Sequence, residues 1–168
     1  MKLKKVEFNN RKKLFEIDTK KGFYTFPYSA LDLKPEKGNW VREAFVDRDI
    51  GNEGFTYVLD SGEEDTIHID RVLEVNRDPD YMRDLLLYRI TLLAKEIVDK
   101  SEINKKEIAR RLSTSPSQFY RLIDVNYKKK TLDQMFRLFY TLNYDLDVKV
   151  KQTSNGRIAS TNRKILTV

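Results

Sequence analysis

Asn104-Lys105-Lys106-Glu107-Ile108-Ala109-Arg110-Arg111-Leu112-Ser113-Thr114-Ser115-Pro116-Ser117-Gln118-Phe119-Tyr120-Arg121-Leu122-Ile123 is the stretch on which the reading of this chain turns. Asn104 with Glu107, and Ser115 with Gln118, have the spacing of a capping box, in which the first side chain accepts from a backbone N–H three residues on. Pro116 suits the first position of a helix. The stretch therefore divides into two short helices, 105–112 and 116–123, joined by the tight link Ser113-Thr114. Ile108 and Leu112 face inward on the first, and Phe119, Leu122 and Ile123 on the second. Ala109 falls where two steeply crossing helices would touch. Such a pair is a helix-turn-helix, whose second helix can enter the major groove of DNA.

The flanks extend this pattern. Upstream, Asp78-Pro79-Asp80 is a helix start: a cap, a residue with preset φ, and a carboxylate for the positive end of the dipole. Met82, Leu86, Ile90, Leu93 and Ile97 then recur at steps of three or four, one face of a helix running to about Lys100. Downstream, Thr131 with Gln134 repeats the capping spacing and opens a helix over 131–142 that buries Leu132, Met135, Phe136, Phe139 and Leu142. That is more apolar surface than a small domain needs, and it suggests a dimer contact. Leu146, Val148 and Val150 then alternate with charged residues as a strand, which needs a partner in the N-terminal sheet or in a second copy. Residues 152–168 form a basic tail that pairs as a hairpin or hangs free.

The strings NKKEIARRLSTSPSQFYRLI and TLDQMFRLFYTLNYDLDVKV resemble the lambda-repressor/Cro-like family, the Xre-type regulators, and in particular its antitoxin-like members. The resemblance covers about residues 80–151. It implies double-stranded DNA as partner and two-fold pairing into a homodimer. One position departs from the pattern: Ser113 stands where the family usually has Gly. With a positive φ there, Ser is worse than Gly by about 1–2 kcal/mol.

The first half has a different period. Residues 3–8 and 14–18 flank Asn9-Asn10, a pair suited to tight turns. Lys21-Gly22 precedes the aromatic run Phe23-Tyr24-Thr25-Phe26. Pro27 and Pro35 bracket a segment that cannot be central strand. Phe55–Leu59, the turn Asp60-Ser61-Gly62 and Thr66–Ile69 read as a hairpin. Together these predict a small, mainly antiparallel sheet. Asp47, Asp49, Gly51 and Glu53 faintly resemble a calcium loop, but Val58 stands where the bidentate Glu belongs, so an acidic loop is the reading. His68 alternates with Ile67 and Ile69 and falls on the outer face. Glu63-Glu64-Asp65 reads as a solvated turn.

Composition narrows the function classes. Of 168 residues, 32 are Lys or Arg and 26 Asp or Glu, for a net charge of +6. Residues 1–78 hold 14 basic against 16 acidic residues, a net −2, whereas 79–168 hold 18 against 10, a net +8. The second half is built to approach an anion. The chain has no Cys and one His, which excludes disulfides, thiol nucleophiles and Cys/His metal sites. No apolar run reaches the roughly 18 residues of a membrane span. No secretion signal is visible, and a cytoplasmic location is the expectation.

The expectation is thus an α+β chain: a small N-terminal antiparallel sheet domain of unknown role at 1–78, then an all-α lambda-repressor-like helix-turn-helix domain at 79–151 with a closing strand, then the tail. Its function is sequence-specific DNA binding as a transcriptional regulator, with no catalysis, no metal and no cofactor. Base contacts fall to Ser117, Gln118 and Arg121, because Gln pairs with adenine and Arg with guanine through two hydrogen bonds. Phosphate contacts fall to Lys105, Lys106, Tyr120, Lys128, Lys129 and Lys130. One of Arg110 and Arg111 is expected to pair with a local acid. The alternative is an antitoxin-like interaction module that binds a toxin through its N-terminal domain or tail, with DNA binding autoregulatory or lost.

Overall fold

The computed structural model describes residues 1–151 together with the strand residues Leu166 and Thr167. The chain divides into two compact units, Met1–Leu85 and Leu86–Val168. The sequence places a boundary at 78/79, where a helix starts; the division falls seven residues later, inside that helix.

In the first unit, β1 (Leu3–Asn9), β2 (Leu14–Thr19) and β3 (Phe23–Pro27) form one antiparallel sheet. A single 3-10 turn at Tyr28–Ala30 leads to a second sheet of β4 (Val41–Val46), β5 (Gly54–Leu59) and β6 (Glu64–His68). β1 lies beside β4, so the two sheets share one core. Alternation explains β2, which buries Phe15, Ile17 and Thr19 between half-buried neighbours. β5 is buried along its whole length, as a central strand must be. Phe15 anchors the interior, its ring centroid 4.8 Å from Phe55, 5.0 Å from Tyr28 and 5.3 Å from Tyr57. At Gly54 the backbones come so close that a Cβ would sit 2.6 Å from the Ile67 carbonyl oxygen. Helix α1 (Ile69–Asn76) follows β6 directly, and His68 caps it, with Nδ1 accepting from the Asp70 amide at 3.3 Å.

The second unit holds most of α2 (Pro79–Lys100), then α3 (Lys105–Arg111), α4 (Pro116–Ile123) and α5 (Leu132–Thr141). Its core comprises Ala94, Val98, Ile108, Ala109, Leu112, Phe119, Ile123, Met135, Leu138, Phe139 and Leu142. After α5, β7 (Lys149–Val150) pairs antiparallel with β8 (Leu166–Thr167).

This architecture corrects the expected fold class. There are two three-stranded sheets rather than one, and the strand and helix classes are interleaved rather than segregated. Helix α1 belongs to the first unit, and after the helices the expected closing strand is joined by a second strand in a sheet of its own. β4 hides from a period-2 reading because Arg42 and Glu43 are both exposed where a register shift breaks the alternation. The closing strand is also shorter than its alternating sequence suggests, and its neighbour is the chain's own C-terminal segment. The rest of the tail expectation lies outside the described residues.

On α2 the inward face is shifted. Thr91, Ala94 and Val98 are buried, whereas Leu86 and Leu93, expected inside, are 46% and 49% exposed. The helix carries apolar residues on several sides, so their period does not choose a face, and close packing favours the smaller side chains. The surplus apolar surface expected on α5 is instead on α2, because Met135, Phe139 and Leu142 are consumed by the core. No helix among the described residues is long and apolar enough to cross a membrane.

Candidate nucleic-acid interface

The local sequence shapes this region through its helix ends. Asn104 Oδ1 accepts from the Glu107 amide at 2.9 Å, and Ser115 Oγ from the Gln118 amide at 3.2 Å. The reciprocal box closes only at Thr131, where Gln134 Oε1 also accepts from the Thr131 amide at 2.9 Å. At α3 the Glu107 carboxylate is drawn away by Arg110 and Arg111, at 2.7 and 2.9 Å. Those contacts, Arg110 first, hold the Glu107 carboxyl at about 2. Both arginines, not one, are therefore paired.

The turn between α3 and α4 is a Schellman closure. The Thr114 amide donates to the Ala109 carbonyl and the Ser113 amide to Arg110, both at 3.0 Å. Ser113 takes the left-handed conformation this closure needs, with φ of 53°. Buried Ala109 and Ile108 let α3 pack on α4, and Phe119 (0% exposed) and Ile123 (7%) fix the inner side of α4. At 100° per residue, Ser117 and Arg121 then lie on the line opposite Phe119, with Gln118 and Tyr120 on its flanks. All four are exposed. Tyr120 rests edge-on against Phe119 at 5.8 Å. Asp124 closes the helix, and its Oδ1 accepts from the Asn126 amide at 3.0 Å.

The expected phosphate contacts fare differently from one another. Lys106, Lys128 and Lys129 are exposed and make no ion pair among the described residues, and the same holds for Arg121. Lys105 is bound to Asp99 at 2.7 Å, which raises its pKa and offsets its charge. Lys130 is a correction. It is 6% exposed, and its ammonium is held by Thr91 Oγ1 at 3.1 Å and by the Asp124 carbonyl. Burial lowers its pKa, and its Nζ is engaged inside the unit. The lysine run 128–130 thus turns two cations outward and one inward, where Thr91 and the Asp124 carbonyl receive it.

Arg137 was not among the expected residues. It is exposed on α5, three residues beyond Gln134 and so on the same side of the helix, and its Nη2 donates to the Leu112 carbonyl at 3.4 Å. The i, i+3 spacing from Gln134 was the only sequence signal for it. Among the described residues no group of three or more His, Asp or Glu side chains could hold a metal, including the acidic loop at 47–53. Asp47 there accepts from the Asp49 amide and the Thr56 hydroxyl, both at 2.9 Å. The chain matches no family model, and no curated protein or solved structure is significantly similar to it.

Proposed function

We propose that this chain binds double-stranded DNA through α4, as a sequence-specific regulator that performs no chemistry and works in the cytoplasm. One observation carries the reading: α4 is anchored by Phe119 and Ile123 yet presents Ser117, Gln118 and Arg121 outward, the last with no acidic partner among the described residues. Buried anchoring sets the helix orientation, and the free donors are those that read adenine and guanine edges. Lys106, Lys128 and Lys129 supply the phosphate grip, and the Xre-type resemblance of 104–123 supports the same assignment.

An eight-residue helix is about 12 Å long and reads only a few base pairs. Two copies on two half-sites about 34 Å apart would double the contact. Leu86 and Leu93, seven residues apart on one line of α2 and 46% and 49% exposed, favour a second copy as their cover. The antitoxin-like reading instead has the N-terminal domain or the tail bind a toxin; co-purification with a small basic toxin would favour it, and a monodisperse lone homodimer would count against it.

The test is duplex affinity across a salt series. Neutralising about three phosphates per copy, one for each of Lys106, Lys128 and Lys129, gives a slope of log affinity on log salt of about −2.7. A flat slope, or no binding at micromolar protein, would remove the DNA reading.

A further inference from the structure

Beside α4 lies an open cleft of about 340 Å³, between the Ser113-Thr114 turn and the start of α5. Its volume is at the lower end of small-ligand sites. Leu112, Leu122 and Tyr127 form an apolar part of the lining, and the charge of the rest has one sign. Lys129 and Arg137 bring positive charge, Ser113, Thr114, Gln118 and Gln134 bring hydroxyl and amide groups, and no Asp or Glu lines it.

The donors are also disengaged. Gln134 has given its Oε1 to the Thr131 amide, so its remaining polar group is the donating NH2. Arg137 uses Nη2 on the Leu112 carbonyl, which places the guanidinium against the turn and leaves its other N–H groups to a ligand. Lys129 makes no ion pair among the described residues. Lys130 lines the cleft as well, but its ammonium is already held by Thr91 and the Asp124 carbonyl. A group that accepts many hydrogen bonds and carries negative charge satisfies these donors; a cation does not.

We infer that this cleft is a phosphate-ester site, with Arg137 and Lys129 as its charged ligands and Gln134, Ser113 and Thr114 as neutral donors. The phosphate comes either from a free nucleotide-sized molecule or from a DNA backbone. Gln118 lines the cleft and is also a base-reading candidate, so a free ligand there competes with DNA for it. The site itself does not depend on α4 reading bases.

The test titrates the full chain with inorganic pyrophosphate, in the absence of DNA, by amide chemical shifts. Saturable shifts confined to Ser113, Thr114, Gln118 and Gln134 are expected. Arg137→Gln and Lys129→Gln should each weaken binding about tenfold, the effect of losing one charge-assisted contact. Lys37→Gln, an exposed lysine of the first unit, should change nothing. Should Arg137→Gln fail to fold, Arg137→Lys keeps the charge and removes the fork, and the wild-type shift map stands alone. Two further arms separate the sources. Adenosine monophosphate binding more tightly than pyrophosphate, with duplex affinity unmoved by Arg137→Gln, assigns a free ligand. Displacement of pyrophosphate by a short duplex, with duplex affinity reduced by Arg137→Gln, assigns the backbone. No saturable shifts at millimolar pyrophosphate together with unchanged duplex affinity in Arg137→Gln would overturn the site, as would equal losses in Lys37→Gln.

Discussion

The two units differ in the balance of their charge: residues 1–78 carry a net −2 and residues 79–168 a net +8. In the first, Arg71 grips Asp32 through two nitrogens at 2.6 and 3.1 Å and also donates to the Ala30 carbonyl, and the N-terminal amine meets Glu53 at 3.1 Å. In the second, acid partners are spent on α3 and α2, at Glu107, Asp99 and Glu96, while α4 and the loop after it keep Arg121, Lys128 and Lys129 unneutralised among the described residues. Both units have a closed core and no buried side-chain polar atom without a hydrogen bond among the described residues. Cations without an ion pair among the described residues occur in the first unit too, Arg11, Lys37 and Arg42 among them, but there acids outnumber bases; around α4 they stand in the half of the chain with a net +8, and that excess points to an anionic partner.

The largest effects should test the anchoring. Phe15→Ala and Phe119→Ala each remove a ring that is 0% exposed and should each lower stability by about 3–5 kcal/mol in thermal unfolding. A much smaller loss at Phe119 would mean that α4 is not held as rigidly as β2. Next, Arg121→Ala should erase about 1–3 kcal/mol of discrimination between duplexes, whereas Arg71→Ala should leave binding unaltered in the same competition assay. Equal behaviour of the two arginines would break the contrast between the units.

Smaller changes sharpen it. Ser113→Gly should raise stability by about 1 kcal/mol, since φ of 53° suits glycine and the hydroxyl makes no hydrogen bond within the turn. Lys129→Ala should reduce the salt slope by about 1, while Lys130→Met, at a cation turned inward, should not move it. The smallest effect concerns acid. The Glu107 carboxyl is held below its ordinary value by Arg110 and Arg111, so its contribution is complete above about 4.3 and fades as pH falls toward 2. Circular dichroism of the helices should show that loss in the wild type and its absence in Glu107→Gln.

Much of the second unit was legible because its signals are local. Caps at Asn104, Ser115 and Thr131, and the buried set Ile108, Ala109, Leu112, Phe119 and Ile123, are set by residues three or four apart. What escaped was decided by distant partners. β4 is recruited by β5 despite its exposed Arg42-Glu43, and Lys130 is drawn inward by Thr91, 39 residues earlier. Leu86 and Leu93 satisfy the period as well as Ala94 does, and only packing separates them. Ser113 also shows that a left-handed helix end does not require glycine; Arg77 and Asn143 end α1 and α5 in the same conformation. At the candidate site, exposure of Ser117, Gln118 and Arg121 followed from the helix period, whereas Arg137 reaches the turn across 25 residues of chain.

The most direct measurement is a selection of bound sequences from random duplexes, run in parallel with the wild type and with a Gln118→Ala/Arg121→Ala double variant whose helix content is unchanged. The account expects a two-fold-related consensus for the wild type, built on guanine and adenine positions, and its disappearance in the variant. Recovery of the input pool by the wild type, or the same consensus from both proteins, would contradict it.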